Sequence, residues 1–407
     1  MRRITFVLYV LVLGLVLTGC SGVTDGLNGT NGTNGVDGED GQTPYIGEDG
    51  YWWIDNVNTG VYAGLIDDNG PLTGEFSFAL NSDGLSYYLV SYTGDDRYID
   101  IPATYLGLPV TSIGPNAFNG NQKIEYVIIP ENVIVIERYA FSDATKLENV
   151  TFPDSLKRIE DFAFYKASSL KTVSFLSNLE HIGASAFIYS KSIESLELPD
   201  GLVTIGSAAF CGLEKLTSLT IPDSVEVIEE YVFYGASALT SLHLPDGLTS
   251  IGDYAFTQAS SLTSLVIPNS VTTVGISAFA GLASLESLVI SDNISVIPYG
   301  AFSGLSSLST LVIPDGVYSM DDYAFSNMTN VSSITIPDSM FSIGSYVFQN
   351  TTKLESIVIP FSVQVMGHHV FTSNVNLIVY VENPIEPLDW LPSWDYSVDE
   401  VVWGYVE

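Results

Sequence analysis

Twelve phenylalanines recur at a spacing of 23 residues without a slip: Phe118, Phe141, Phe164, Phe187, Phe210, Phe233, Phe256, Phe279, Phe302, Phe325, Phe348 and Phe371. A fixed period between about 20 and 50 residues marks a solenoid, in which each unit buries its apolar face against its neighbours. That period outranks the length of 407 residues, which in a globular chain would suggest about two or three domains.

Residues 216–233 show what one unit does. Leu216, Leu219 and Ile221 alternate with Ser218 and Thr220, the pattern of a strand with one buried face. Pro222 has no N–H for a ladder and ends the strand, and Asp223-Ser224 supplies turn chemistry. Val225 and Ile228 form a second apolar step, and Phe233 fills the coil. Stacking repeats each inward side chain in register, so Ile113, Ile136, Ile159, Ile182, Ile205, Ile228 and Ile251 form one column. The residue before each Phe is Ala nine times and Val three times, which predicts tight packing there. At ~4.8 Å per coil, twelve coils make a rod of roughly 55 Å.

The frame Leu-x-x-Leu-x-Ile-Pro-x-x-Val-x-x-Ile-Gly-x-x-Ala-Phe resembles the BspA-type leucine-rich repeat of bacterial surface proteins, over residues 99–382. The resemblance implies a β-rich solenoid, a right-handed stack of about twelve coils with terminal caps. It also implies adhesion to host matrix proteins, other cells or surface glycans. One departure concerns the asparagine ladder of common leucine-rich repeats: Ser155, Gly201, Ser224, Gly247, Ser270 and Ser339 stand at that site, with Asn only at 132, 178 and 293. Two predicted strands, 76–80 and 87–92, joined at Asn81-Ser82-Asp83-Gly84, would close one end of the stack. Residues 383–407, carrying Trp390, Trp394 and Trp403, would form a lid on the other.

Ahead of the array, Arg2 and Arg3 precede an apolar run from Ile4 to Leu17, short for a membrane span but suited to a signal peptide over residues 1–19. Leu17-Thr18-Gly19-Cys20 resembles a bacterial lipobox. That resemblance implies cleavage before Cys20, its lipidation, and a protein anchored to the bacterial membrane facing outward. Glycine then recurs every third residue from Gly26 to Gly41. This reads as a stalk over residues 20–50, either flexible or trimer-forming. Residues 51–98 hold an aromatic segment around Trp52-Trp53 and the N-terminal cap. Cys211 is the other cysteine, so a lipidated chain has no pair for an internal disulfide.

The formal charge of −34, from 47 acidic and 13 basic side chains, argues against nucleic-acid partners. It is uneven: beyond Lys215 there are twenty carboxylates and one base, Lys353. No catalytic constellation or His-Glu-x-x-His zinc motif stands out, and the expectation is a protein that is not an enzyme. Three repeating columns are candidate surfaces. The outward strand face carries Ser218, Ser241, Ser264, Ser287, Thr310 and Ser333, beside Thr220, His243, Val266, Val289 and Val312, a weakly polar platform for an extracellular protein or glycan. An aromatic edge two residues before the Phe carries Tyr231, Tyr254, Tyr323 and Tyr346, either a contact surface or a self-stacking column. Turn acids such as Asp223, Asp246 and Asp315 would fit simple capping or a calcium ladder. No calcium loop of known spacing is present, and no cofactor is assigned.

Overall fold

The computed structural model describes residues 75–406 and, before them, three strands: Tyr45–Ile46, Tyr51–Ile54 and Val57–Tyr62. Cys20 and the glycine tract lie outside the described residues. The chain divides into two compact units, residues 1–71 and 72–407. In the first, the three strands form an antiparallel sheet in chain order, Tyr45 opposite Trp53 and Ile54 opposite Val57. The second is the solenoid, and no α-helix occurs among its described residues.

Each coil has three sides. The first is a strand of three residues, such as Ser218–Thr220, paired in parallel with Ser241–His243 one coil on. A turn follows in which the Val225 N–H donates to the Pro222 carbonyl, 3.0 Å, a bond repeated from Leu248 to Pro245 and from Val317 to Pro314. The second side is a strand of two residues, Val227–Ile228, paired with Ser250–Ile251. The third is the segment around the phenylalanine, which makes a ladder of its own. The Phe233 N–H donates to the Ala255 carbonyl and the Phe256 N–H to the Ala278 carbonyl, both 2.8 Å. Backbone polar groups are thereby satisfied between coils without a helix.

The third side turns sharply, because the residues two before and two after each phenylalanine are left-handed. Tyr231 and Gly235 have φ of 57° and 75°, and Tyr254 and Gln258 have 56° and 66°. The second of these positions is rich in Gly and Asn and is readable as a turn. The first holds mostly tyrosine and other aromatic residues, serine and alanine, with Asn116 and Gly300 the only ones that favour this conformation, and so it does not read as a turn.

All twelve phenylalanines are fully buried. Their rings stack face to face along the solenoid, with centroids 4.9–6.4 Å apart and planes within 16° of parallel. Tyr92 ends this column at one side, 5.8 Å from Phe118. Trp394, 23 residues beyond Phe371, ends it at the other with its ring edge-on.

The stack is longer than the twelve phenylalanines indicate. The inward column runs from Leu89 and Ile113 through Ile343 and Met366 to Trp390, about fourteen turns. The additional coils are terminal ones, whose large filler is Tyr92 or Trp394 and so escapes a count of phenylalanines. At the first coil, Phe76–Leu80 folds back on Tyr87–Tyr92 through a turn with Gly84 at φ 68°, covering the open end of the second sheet. At the last, Trp390, Trp394 and Trp403 form an edge-to-face cluster with centroids 4.9–6.3 Å apart. Caps of this kind cover the apolar face that a terminal repeat would otherwise expose.

The site of the missing asparagine ladder keeps its work in part. Ser155 and Ser339 donate their hydroxyls to the Val133 and Val317 carbonyls of the preceding coil, both 2.7 Å. Asn178 does the same to Asp154, 2.9 Å.

Candidate binding surface

The outward residues of the three-residue strands stand one coil apart on a continuous face. Ser218, Thr220, Ser241, His243, Ser264, Ser287, Thr310 and Ser333 are all exposed, while the residue between each pair packs into the core. Val266, Val289 and Val312 line up beside them with more than half of each side chain in solvent. Val266 and Val289 are paired in register, and Val312 holds the equivalent position one coil on; all three are apolar and uncovered.

The residue just before each strand separates the array into halves. Between residues 97 and 215 this edge carries ion pairs across coils, Arg97 with Glu125 and Lys171 with Glu148 at 2.7 Å, and Glu194 at the same edge meets Lys215, two residues before Thr217, at 3.7 Å. The seven ion pairs described all lie in this half. Such exposed pairs contribute little to stability, about 0–1 kcal/mol each. From Thr217 onward hydroxyls replace charges, and they bond along the stack. Thr240 Oγ1 donates to the Thr217 carbonyl at 3.0 Å, and Ser332 Oγ to that of Ser309 at 3.4 Å. Across the six coils from Thr217 to Thr335, Glu286 is the one carboxylate at these three positions, in a chain of charge −34.

The tyrosine edge is a self-stacking column. Tyr231 lies on Tyr254 at 4.9 Å and 11°, and Tyr323 on Tyr346 at 4.8 Å and 7°. Tyr139 and Phe162 do likewise in the N-terminal half, 5.0 Å and 7°. The ring faces are thus spent largely on one another. Ser185 and Ala208, then Ser277 and Gly300, interrupt the column, so it is three short stacks and not a continuous platform.

The turn acids Asp154, Asp200, Asp223, Asp246, Asp315 and Asp338 are exposed. Among the described residues no three His, Cys, Asp or Glu side chains converge as a metal site. His368 and His369 diverge: His368 Nδ1 lies 2.7 Å from the Pro392 carbonyl, while the His369 ring stacks on Tyr346. The Cys211 thiol is buried, and burial pushes its pKa up, the opposite of an activated nucleophile. A shallow groove of about 350 Å³, lined by Tyr299, Met320, Asp321, Asp322, Ser342 and Gly344, lies open on the second sheet. Partial burial and the neighbouring Asp322 carboxylate raise the Asp321 pKa.

A three-sided coil of 23 residues with a stacked phenylalanine spine is a specific architecture, and the sequence comparison identifies it. The profile of the BspA-type leucine-rich repeat region matches residues 96–210, 180–308 and 274–384, which together span most of the chain. The chain belongs to the BspA-type leucine-rich repeat family. No curated protein matches it in sequence. Among solved structures, a leucine-rich repeat protein from Bacteroides ovatus superposes with a TM-score of 0.62 at 23% identity, covering 85% of this chain and 93% of its own. The pneumococcal vaccine antigen PcpA superposes with a TM-score of 0.55 at 20% identity, covering 82% and 98%. Both likenesses concern the fold. A BspA-type solenoid is an interaction architecture, offering an extended surface and not a single cleft. No described helix is long and apolar enough to cross a membrane.

One group of surface residues has no counterpart among the predicted sites. Tyr318, Phe341, Phe361, Ile385 and Leu388 are each at least half exposed, and all lie on the last coils. A sequence signal exists: Phe361 occupies the turn position that seven coils give to aspartate, and Tyr318 and Phe341 occupy one that Thr249, Thr272 and Ser295 hold in earlier coils.

Proposed function

We propose that this BspA-type protein is a lipid-anchored cell-surface module whose solenoid binds extracellular proteins or glycans through the outward face of its three-residue strands. The observation that carries this reading is the near absence of charge from that face over six consecutive coils of a strongly acidic protein. A soluble protein keeps its surface charged and free of apolar patches unless a partner covers them. Here a strip of valines, Val266, Val289 and Val312, runs beside hydroxyls that can bond a peptide backbone or sugar hydroxyls. Parallel pairing within successive pairs of these strands, and the buried phenylalanine stack beneath them, hold both columns in place, so the face is preorganised and loses little entropy on binding. The tyrosine pairs Tyr231–Tyr254 and Tyr323–Tyr346 add a rigid rim. Lipidated Cys20 and the glycine-rich stalk would hold this surface off the membrane, in keeping with the surface role of the family.

The test is binding of the full chain to a panel of matrix proteins and glycans at two salt concentrations, with and without calcium. A saturable ligand is expected whose binding is lost when Val266, Val289 and Val312 are replaced together by glutamate. A folded, monodisperse chain that binds nothing would refute the reading and leave a structural spacer. For the anchor, labelling with a fatty acid is expected in the native chain and absent from Cys20→Ser.

A further inference from the structure

The exposed aromatic group on the last coils is a break in the repeat, and its chemistry names a partner. The Phe341 N–H donates to the Tyr318 carbonyl at 2.8 Å, and the Gln364 N–H to the Phe341 carbonyl at 2.9 Å, so these positions are neighbours on successive coils. Leu388 continues the row, because Val365 pairs with Asp389. Phe361 lies on the turn just before it, tied in by Gln364 Nε2 and Asn383 Nδ2, which both donate to its carbonyl, and by its own N–H, which donates to Glu382. Exposure of the five side chains runs from 50% at Tyr318 and Phe341 to complete at Leu388. Exposed apolar side chains grouped on successive coils in this way, with Gln364 the polar residue among them, mark a contact site and not chance exposure.

The surroundings are acidic throughout. Asp315 and Asp338 stand three residues before Tyr318 and Phe341 on the same turns, Asp321 and Asp322 follow the strand that Tyr318 leads into, and Asp389 follows Leu388. The one base beyond residue 215, Lys353, is hydrogen-bonded to Asn330 Oδ1. We propose that this surface, centred on Tyr318, Phe341 and Phe361, docks a cationic amphipathic segment of another protein. Its arginine or lysine side chains would meet the carboxylates and the aromatic faces, and its apolar side chains would cover Ile385 and Leu388. Cation–π attraction and ion pairing act together on such a segment. An acidic peptide is repelled, and a purely polar cationic one leaves the aromatics uncovered. This deepens the reading of the chain as an interaction module by naming a partner class for a second face.

The experiment titrates a labelled peptide of alternating arginine and leucine into the full chain and follows fluorescence anisotropy at low and moderate salt. A peptide with glutamate for arginine and one with serine for leucine serve as controls. The variant is Phe341→Thr with Phe361→Asp, which installs the residues that earlier coils carry at those positions and so leaves the fold intact. Saturable binding is expected for the arginine–leucine peptide alone, weakened at least about tenfold in the variant and unaffected by the valine-to-glutamate changes on the first sheet. Equal binding by the variant, or equal binding of the arginine–serine peptide, would reduce the effect to net charge and overturn the proposal. Insertion into uncharged lipid vesicles, lost in the same variant, would overturn it in favour of a membrane contact. Because the sheet-face changes are assayed alongside, either face can fail without the other.

Discussion

Replacing Phe256 by alanine tests whether the phenylalanine column couples the coils. The Phe256 ring is fully buried and lies 5.5 Å from both Phe233 and Phe279, with planes at 16° and 0°. Truncating a buried phenylalanine costs about 3–5 kcal/mol, the spread reflecting how far the surroundings collapse into the hole. Each stacked pair contributes about 0.5–1.5 kcal/mol of that total. Collapse is restricted here, because Phe233 and Phe279 are held on their far sides by Phe210 and Phe302. The expected loss is therefore in the upper part of the range, about 4–5 kcal/mol. In a linear stack that loss falls on the two interfaces of one coil and divides the array. Two probes separate the outcomes in urea. Far-ultraviolet circular dichroism reports every coil, and tryptophan emission reports the C-terminal cap once Trp52 and Trp53 are changed to phenylalanine. In the native chain the two transitions are expected to coincide. In Phe256→Ala the dichroism should fall at lower urea than the emission of Trp390, Trp394 and Trp403. A loss below about 2 kcal/mol with coincident probes would refute the argument that the ring column bears the coupling.

Three further outcomes follow from the same geometry. Gly275→Ala places a Cβ 2.4 Å from the Asp253 nitrogen and the Gly252 carbonyl carbon of the preceding coil. It is expected to lose about 2–3 kcal/mol in urea melts, whereas Glu229→Ala, at the same place in its coil, should stay within about 0.5 kcal/mol. At the left-handed position before the phenylalanine, Ala208 has φ 56°. Ala208→Gly should be neutral to stabilising by up to about 1 kcal/mol, while Tyr231→Gly, which gives up its stack on Tyr254, should destabilise. The third outcome is a pH dependence. Partial burial, with Glu160 acting on Glu137 and Asp322 on Asp321, holds the Glu137 and Asp321 carboxyls above their ordinary pKa values. A raised carboxyl takes its proton in the fold before it does in the unfolded chain, so stability rises as pH falls through the raised pKa. Burial and Arg158 hold His181 below its ordinary value of 6.5, so the unfolded chain protonates first and stability is lost as pH falls through 6.5. His181 thus opposes the two carboxyls as pH falls from about 7 to about 5, and the change in melting temperature over that interval is expected to be more favourable in His181→Asn than in the native chain. An unchanged slope in that variant would refute the assignment to His181.

The architecture was legible because a solenoid states each of its rules a dozen times. The inward isoleucines, the proline after each strand and the alanine before each phenylalanine all repeat, and no single exception obscures them. The glycine after the inward isoleucine was legible as a pattern but not as a cause, since its reason is the approach of the previous coil's backbone. The left-handed tyrosines were not legible. Their conformation is set by the third ladder between coils, and the sequence shows only an aromatic column that would suit stacking or contact equally. The coil count fell short for a related reason: the spine passes from phenylalanine to Tyr92 and Trp394 at its ends, where a tilted or edge-on ring of another residue type closes the stack.

Repetition that reveals the fold also conceals the site, because any position on a periodic surface looks like its equivalents one coil away. A ligand of limited size covers a few coils and has no reason to respect the period. What distinguishes its footprint is a residue that departs from its own column while leaving the buried columns intact. The strand face that carries a single carboxylate, Glu286, over six coils is one such departure, visible only against a formal charge of −34. Phe361 in a column of aspartates, and Phe341 where Thr249, Thr272 and Ser295 stand in earlier coils, are another. Neither change stabilises the coil that carries it, since both side chains stand half or more in water. An apolar side chain that packs against nothing in its own chain gains its burial free energy only from a partner. For a chain built this way, the departures from the repeat carry the functional information and the repeat itself carries the scaffold.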